Sequence, residues 1–291
     1  MEKNRLFCFI FLSIFLIFTS LDNSCVGQGM FSLDKKEKTS RKKSKSKLAR
    51  LENYEQNYKK ALELYKKGAW LSAAKIFEEI YPLAIGTQRA DTILFLFANS
   101  YYNNRDYSLA SFHFKDYARR YSGTEKAMEA AFLSAKSIYY LSPPYYLDQT
   151  ETYMAQDELK MFIHSYPESS YMEECNVMMD NIRAKLSQKE FENAKLYYNR
   201  NLYKATQIAL RNFLREYSES AYAPEALVML VKNNYNYAKK SVEQKQLERY
   251  HASMDAYNQL QSRFPESKYL TEAVKYANLA QKQIDKLTSN N

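Results

Sequence analysis

Apolar positions along this chain recur at helical spacing, and the same four-residue phrase returns. Tyr58, Ala61, Leu64 and Tyr65 are answered by Phe95, Ala98, Tyr101 and Tyr102, then by Phe132, Ala135, Ile138 and Tyr139, each copy thirty-seven residues after the last. Steps of three, three and one place all four side chains along one side of a helix. A second phrase trails the first two copies: Trp70, Ala73 and Phe77, then Tyr107, Ala110 and Phe114. Phe191, Ala194, Tyr197 and Tyr198 give the first phrase a fourth time, with Tyr203, Leu210 and Phe213 behind them. A fifth pair of helices is expected over roughly 224–264, and a closing helix over 269–287 with Lys275, Gln281, Lys282 and Lys286 facing water.

Punctuation supports the same division. Tyr166-Pro167-Glu168-Ser169, Tyr217-Ser218-Glu219-Ser220 and Phe264-Pro265-Glu266-Ser267, with a weaker Tyr121-Ser122-Gly123-Thr124, each supply an aromatic plug, a breaker or cap, and a new start. Only three Gly and six Pro follow Leu48, and no run alternates Val, Ile and Thr as a strand would. The predicted fold class is therefore all-α: a tetratricopeptide-like (TPR-like) solenoid of helical hairpins, about five repeats over 51–291, with N-terminal repeats at about 51–170 and C-terminal ones at about 171–291.

In such an array small residues let paired helices approach, here Ala61, Ala98, Ala135 and Ala194, and first helices line the inner face. Tyr65, Tyr102 and Tyr139 occupy equivalent places and are candidates for a shared substrate groove. An aromatic stripe at this spacing serves equally as core, and both readings stand at this stage. The longest interruption, 141–150, holds Pro143 and Pro144 and forbids continuous helix. Asp148 followed by Glu151 predicts a capping box that restarts the chain, and Tyr145, Tyr146, Asp148 and Gln149 form a candidate partner-docking loop.

The N-terminus changes the picture of where this array works. Lys3 and Arg5 precede sixteen uncharged, largely apolar residues, Leu6 to Leu21, which is the profile of an export signal over 1–24. Cys25 follows with Ser24 before it; it reads as a lipid-accepting residue, as half of a disulfide, or as an ordinary residue near a cleavage site. Residues 25–50 read as a flexible basic tether. Of the formal charge of +9, a local +8 sits between Lys35 and Arg50, where nine basic residues face one Glu. Its stretch from Lys35 to Lys47 lacks apolar residues and cannot offset the entropy of ordering by burial; it is a solvated tether or a contact for anionic headgroups. Cys175 is left without an obvious partner and reads as a small buried hydrophobe beside Met172, Met178 and Met179.

No chemistry is visible. His113, His164 and His251 lack a second ligand at HExxH or CxxC spacing, and no glycine-rich phosphate cradle occurs. The expectation is a protein without enzymatic activity, metal or cofactor. The basic block lies outside the repeats, so nucleic acid is not an expected partner.

Certain stretches are similar to the BamD family of outer-membrane lipoproteins, which serve the β-barrel assembly machine. These are Asp148-Gln149-Thr150, Ala155, Leu159, Phe162, Tyr166-Pro167-Glu168-Ser169 and Tyr171; the run from Lys189 to Tyr198; and the run from Tyr217 to Leu227. Two departures stand out: Asp22 lies where lipoprotein signals carry Leu, and Asn199-Arg200-Asn201-Leu202 replaces an Arg-Gly pair before Tyr203. The resemblance implies a scaffold lipid-anchored through Cys25 at the periplasmic face of the outer membrane. Its partners would be a BamA-like barrel protein with periplasmic domains and unfolded outer-membrane precursors. N-terminal repeats would meet the aromatic-ended signal of a precursor, with Tyr65, Tyr102 and Tyr139 offering aromatic surface, and C-terminal repeats would meet the barrel protein. The alternative is a generic TPR adaptor lipoprotein of another envelope assembly or secretion complex.

Overall fold

The computed structural model describes residues 53–289; the expected export signal, Cys25 and the expected basic tether lie outside them. Among the described residues there are eleven α-helices and no strand. Helix α1 covers 53–66. It is followed by α2 (Trp70–Ala84), α3 (Ala90–Asn103), α4 (Tyr107–Arg120), α5 (Glu125–Leu141) and α6 (Thr150–Ser165). The chain continues through α7 (Met172–Asn199), α8 (Tyr203–Glu216), α9 (Ala223–Lys239), α10 (Glu243–Arg263) and α11 (Leu270–Ser289). Consecutive helices from α2 onward pack on one another, and α9 also packs on α11, as stacked hairpins require. The fold is the all-α, TPR-like array expected: five hairpins and a closing helix whose Lys275, Gln281, Lys282 and Lys286 are exposed.

Two turns are reused throughout. Between the helices of the first, second and fourth hairpins a left-handed residue closes the turn: Gly68 (φ 76°), Arg105 (φ 65°) and Asn201 (φ 55°). Each donates its N–H three residues back, to Tyr65, Tyr102 and Tyr198 respectively, at 3.1, 3.0 and 2.9 Å. The next residue donates five back, to Leu64, Tyr101 and Tyr197, at 2.9, 2.9 and 3.1 Å. This pair of bonds satisfies the orphan carbonyls of a helix end. Asn201 thus holds in the fourth hairpin the turn that Gly68 makes in the first. Between hairpins, Ser169, Ser220 and Ser267 each donate their N–H to the aromatic three residues earlier and accept, through Oγ, the N–H of Tyr171, Tyr222 and Tyr269.

The capping box expected at Asp148 does not form. Helix α6 starts at Thr150 with Gln149 at its N-cap and no side-chain cap bond. Asp148 instead accepts the Thr150 N–H at 2.9 Å in an Asx turn, and the Thr150 side chain first and this N–H next hold its carboxyl below the usual range.

The phrases read from the sequence fill the core. Ala61, Ala73, Phe77, Ala98, Ala110 and Phe114 are buried in one cluster with α1 to α4. Cys175, Met178, Ile182 and Leu186 pack with Phe132, Leu159 and Phe162, while Phe191 and Ala194 pack with Leu210, Phe213 and the apolar run of α9. Helix α7, 28 residues long, therefore serves two cores, its first half closing the third hairpin and its second half opening the fourth. Cys175 is the inert buried residue expected: burial pushes its thiol up to about 11, with Glu174 adding to the effect.

Candidate functional site: two clefts between hairpins

Two clefts hold the candidate residues. The first, about 650 Å³, opens beside the first helices of the N-terminal hairpins. Tyr65 from α1 meets Phe95, Leu96 and Asn99 from α3, with Tyr117 and Tyr121 behind and Lys126 and Glu129 from α5 across the opening. The Tyr65 ring lies edge-on to Trp70 and Phe77, 5.0 and 6.5 Å between centroids, and its hydroxyl accepts a bond of 2.8 Å from Asn99 Nδ2. Burial pushes its phenol up, against the Asn99 and Asn103 bonds. Lys126 Nζ sits 4.2 Å above the Phe95 ring and pairs with Glu129 at 2.9 Å. The cleft thus offers aromatic walls, one amide and a cation with its counter-ion, a surface for an apolar group flanked by polar backbone.

Tyr65, Tyr102 and Tyr139 are all half-buried, and they do not share that cleft. Tyr102 packs edge-on to Tyr107 and Phe114 and meets Tyr140 at 6.3 Å; its phenol is pushed well up, by burial first and by Tyr140 next. Tyr139 meets the other side of Tyr140 at 5.7 Å, and its hydroxyl accepts a bond of 3.3 Å from Asn181. The expected single stripe is split: Tyr65 lines the cleft, whereas Tyr102 and Tyr139 belong to an aromatic cluster centred on the exposed Tyr140.

The second cleft, about 780 Å³, lies where the α5–α6 loop faces the middle of α7 and the α8–α9 turn. Tyr145 and Tyr146 from the candidate docking loop line it; Asp148 and Gln149 do not. Gln149 is 3% exposed and shapes the loop from within, since its Nε2 donates to the Pro144, Leu147 and Asp148 carbonyls at 2.8, 3.0 and 3.3 Å. Its Oε1 accepts from Thr152. Gln149 is therefore a brace and not a docking surface. From α7, Lys185 donates to the Ser142 carbonyl and hydroxyl, burial lowering its pKa, and Lys189 donates to the Leu147 carbonyl at 2.6 Å. Arg183, Gln188, Tyr217 and Tyr222 complete the walls. Sequence reasoning named Tyr217 as an aromatic plug at a repeat end and Tyr222 only within a family-like run, and missed Arg183 and Gln188; no local period links segments so far apart.

Among the described residues no group of three or more His, Cys, Asp or Glu could hold a metal ion, and no helix is long and apolar enough to cross a membrane. Stacked hairpins of this kind define a TPR-like helical-repeat protein. The family model described as "YfiO: Outer membrane lipoprotein" matches residues 51–249, and the chain belongs to that family of BamD-like outer-membrane proteins. A relative from Aquifex aeolicus (strain VF5), by its description a candidate outer membrane protein assembly factor BamD, is 29% identical over 97 residues. That match spans 33% of this chain and 32% of the relative, about a third of its length. Among solved structures, the crystal structure of the P58(IPK) TPR domain is similar at a TM-score of 0.41 and 12% identity, over 84% of this chain and 70% of that one.

Proposed function

We propose that this protein is a non-enzymatic scaffold of outer-membrane β-barrel assembly, lipid-anchored through Cys25 at the periplasmic face, which binds a BamA-like barrel protein and helps receive unfolded barrel precursors. Family membership over most of the array supports the assembly role. The observation that carries the receiving step is the Tyr65–Phe95–Asn99 cleft, whose aromatic walls and amide suit the aromatic end of an extended precursor. The mechanism is docking without a chemical step: the cleft holds the precursor's apolar end while other hairpins hold the barrel subunit. Residues 1–24 would be removed on export, and 25–50 would give the array its reach from the membrane.

The test is to tag the C-terminus, solubilise the envelope in mild detergent and identify stoichiometric companions. A barrel protein with repeated periplasmic domains is expected. Its absence, with another envelope complex in its place, overturns the assembly role in favour of an adaptor for that complex.

A further inference from the structure

The loop cleft has more hydrogen-bonding capacity than the protein uses. Tyr145, Tyr146, Tyr217 and Tyr222 all line it, and none of their hydroxyls has a hydrogen-bond partner among the described residues. Arg183, Gln188, Asp180 and Glu219 also line it without a hydrogen bond or ion pair there. Donors therefore outnumber obligate acceptors: four phenols, an amide and a guanidinium against two exposed carboxylates. Small residues, Ala184, Ser187 and Ala221, also line it, and Ser220 is bonded to Ser187 at 3.1 Å.

The walls are held rigid before anything binds. Pro143 and Pro144 stiffen the loop, Lys185 and Lys189 clamp its backbone to α7, and Gln149 fastens three of its carbonyls. On the opposite wall, Tyr222 is stacked on Phe191 at 4.9 Å and Tyr217 lies 5.9 Å from Phe213. Tyr145 and Tyr146 stand edge to face at 5.5 Å, and Tyr146 is 69% exposed at the rim. A folded helix brings carbonyls already bonded to its own amides, and strand addition needs a sheet edge, which the described residues lack. A proline-rich segment in the polyproline II conformation brings bare carbonyls, few amides that need acceptors, and ring faces that pack between aromatic ridges, with little entropy left to lose.

We infer that the cleft between the α5–α6 loop, α7 and the α8–α9 turn takes a proline-rich segment of a partner chain in polyproline II form, seated between Tyr145 and Tyr146 on one side and Tyr217 and Tyr222 on the other. This rests on the docking role proposed above and names the chemistry of what docks.

The test uses the full chain in detergent and a fluorescein-labelled peptide, Pro-Pro-Leu-Pro-Pro-Arg-Pro-Pro-Leu-Pro, followed by anisotropy. An otherwise identical peptide with every Pro replaced by Ala serves as reference. The proline peptide should saturate and bind at least about tenfold more tightly than the alanine one, as expected when a contact worth about 1.4 kcal/mol is preorganised. Tyr146→Ala should weaken it by about tenfold. Tyr222→Phe, which keeps the stack and removes only the hydroxyl, should weaken it about threefold. Tyr197→Ala, an exposed tyrosine of α7 outside the cleft, should leave it unchanged. Equal affinity for the two peptides, absence of saturable binding, or indifference to Tyr146→Ala overturns the inference. If the barrel subunit still co-purifies, only the proline-rich ligand is refuted; if the peptide binds and the barrel subunit does not co-purify, only the assembly role is.

Discussion

The first helices α3, α5 and α7 carry the same aromatic phrase, yet the second hairpin differs from the later ones at one position. Four residues after the aromatic, α5 has Lys136 and α7 has Lys195, and α9 has Lys232 four after Val228, whereas α3 has Asn99 four after Phe95. Each lysine reaches the helix two further on: Lys136 to Glu174 at 2.6 Å, Lys195 to Glu225 at 3.4 Å and Lys232 to Glu272 of the closing helix at 2.7 Å. Asn99 makes no such bridge; it turns to Tyr65, and Glu129 is left to pair with Lys126 on its own helix. Where the cation is present, neighbouring helices are strapped together at this position; beside Asn99, where it is absent, the Tyr65 cleft opens. One side chain thus separates the strapped contacts of the later hairpins from the unstrapped one beside Tyr65.

The comparison can be broken at its core first. Phe191 is wholly buried between Phe213 and Tyr222, so Phe191→Ala should cost about 3–5 kcal/mol, read by chemical denaturation. Stacked repeats contact only their neighbours, so amide exchange should rise in α7–α9 and little in α1–α4. Asn99→Lys installs the strap in the second hairpin. It should lower capture of an aromatic-ended precursor peptide at least about tenfold, the loss of one central contact, while changing stability by less than about 0.5 kcal/mol.

Backbone strain gives a smaller contrast. Arg105 is held in the left-handed region that Gly68 adopts without cost, so Arg105→Gly should stabilise by about 0.5–1 kcal/mol and Gly68→Ala should destabilise by about 1 kcal/mol. The thermal midpoint reports both signs. Lys232→Ala, which removes a partly exposed strap, should cost only about 0.2–1 kcal/mol, an effect that shrinks in high salt.

Acid should also distinguish the halves. His113 lies against Phe97 at 4.2 Å, and burial lowers its pKa below the ordinary 6.5, against the pull of Asp116 and Glu78. The unfolded chain then binds a proton that the folded chain refuses. Stability is therefore lost as pH falls below about 6.5 and stops falling from this cause beneath the lowered value. His164 and His251 are exposed, so exchange in α3–α4 should respond before that in α8–α10, and His113→Gln should remove the difference.

The helical hairpins were legible because their signal is local: a ring, an alanine and a helical step recur within one turn or two. The serine turns were legible for the same reason. The clefts were not, since each gathers residues from three separated segments. Gln149 was misread because an amide beside an Asp in a proline loop looks solvent-facing in sequence, whereas three carbonyls of the loop turn inward and need a donor. Tyr65, Tyr102 and Tyr139 have equivalent positions but unequal neighbours: Asn99 leaves room beside the first, and Tyr140 crowds the other two.

The most direct measurement places a photo-crosslinking residue at position 99, and at the exposed position 279 of α11 for reference, and captures unfolded barrel precursors in the envelope. Strong capture from position 99, abolished when the precursor's terminal aromatic is removed, with little from 279, is the predicted result. Equal capture from both, or capture indifferent to that aromatic, would contradict the view that the unstrapped cleft receives the precursor.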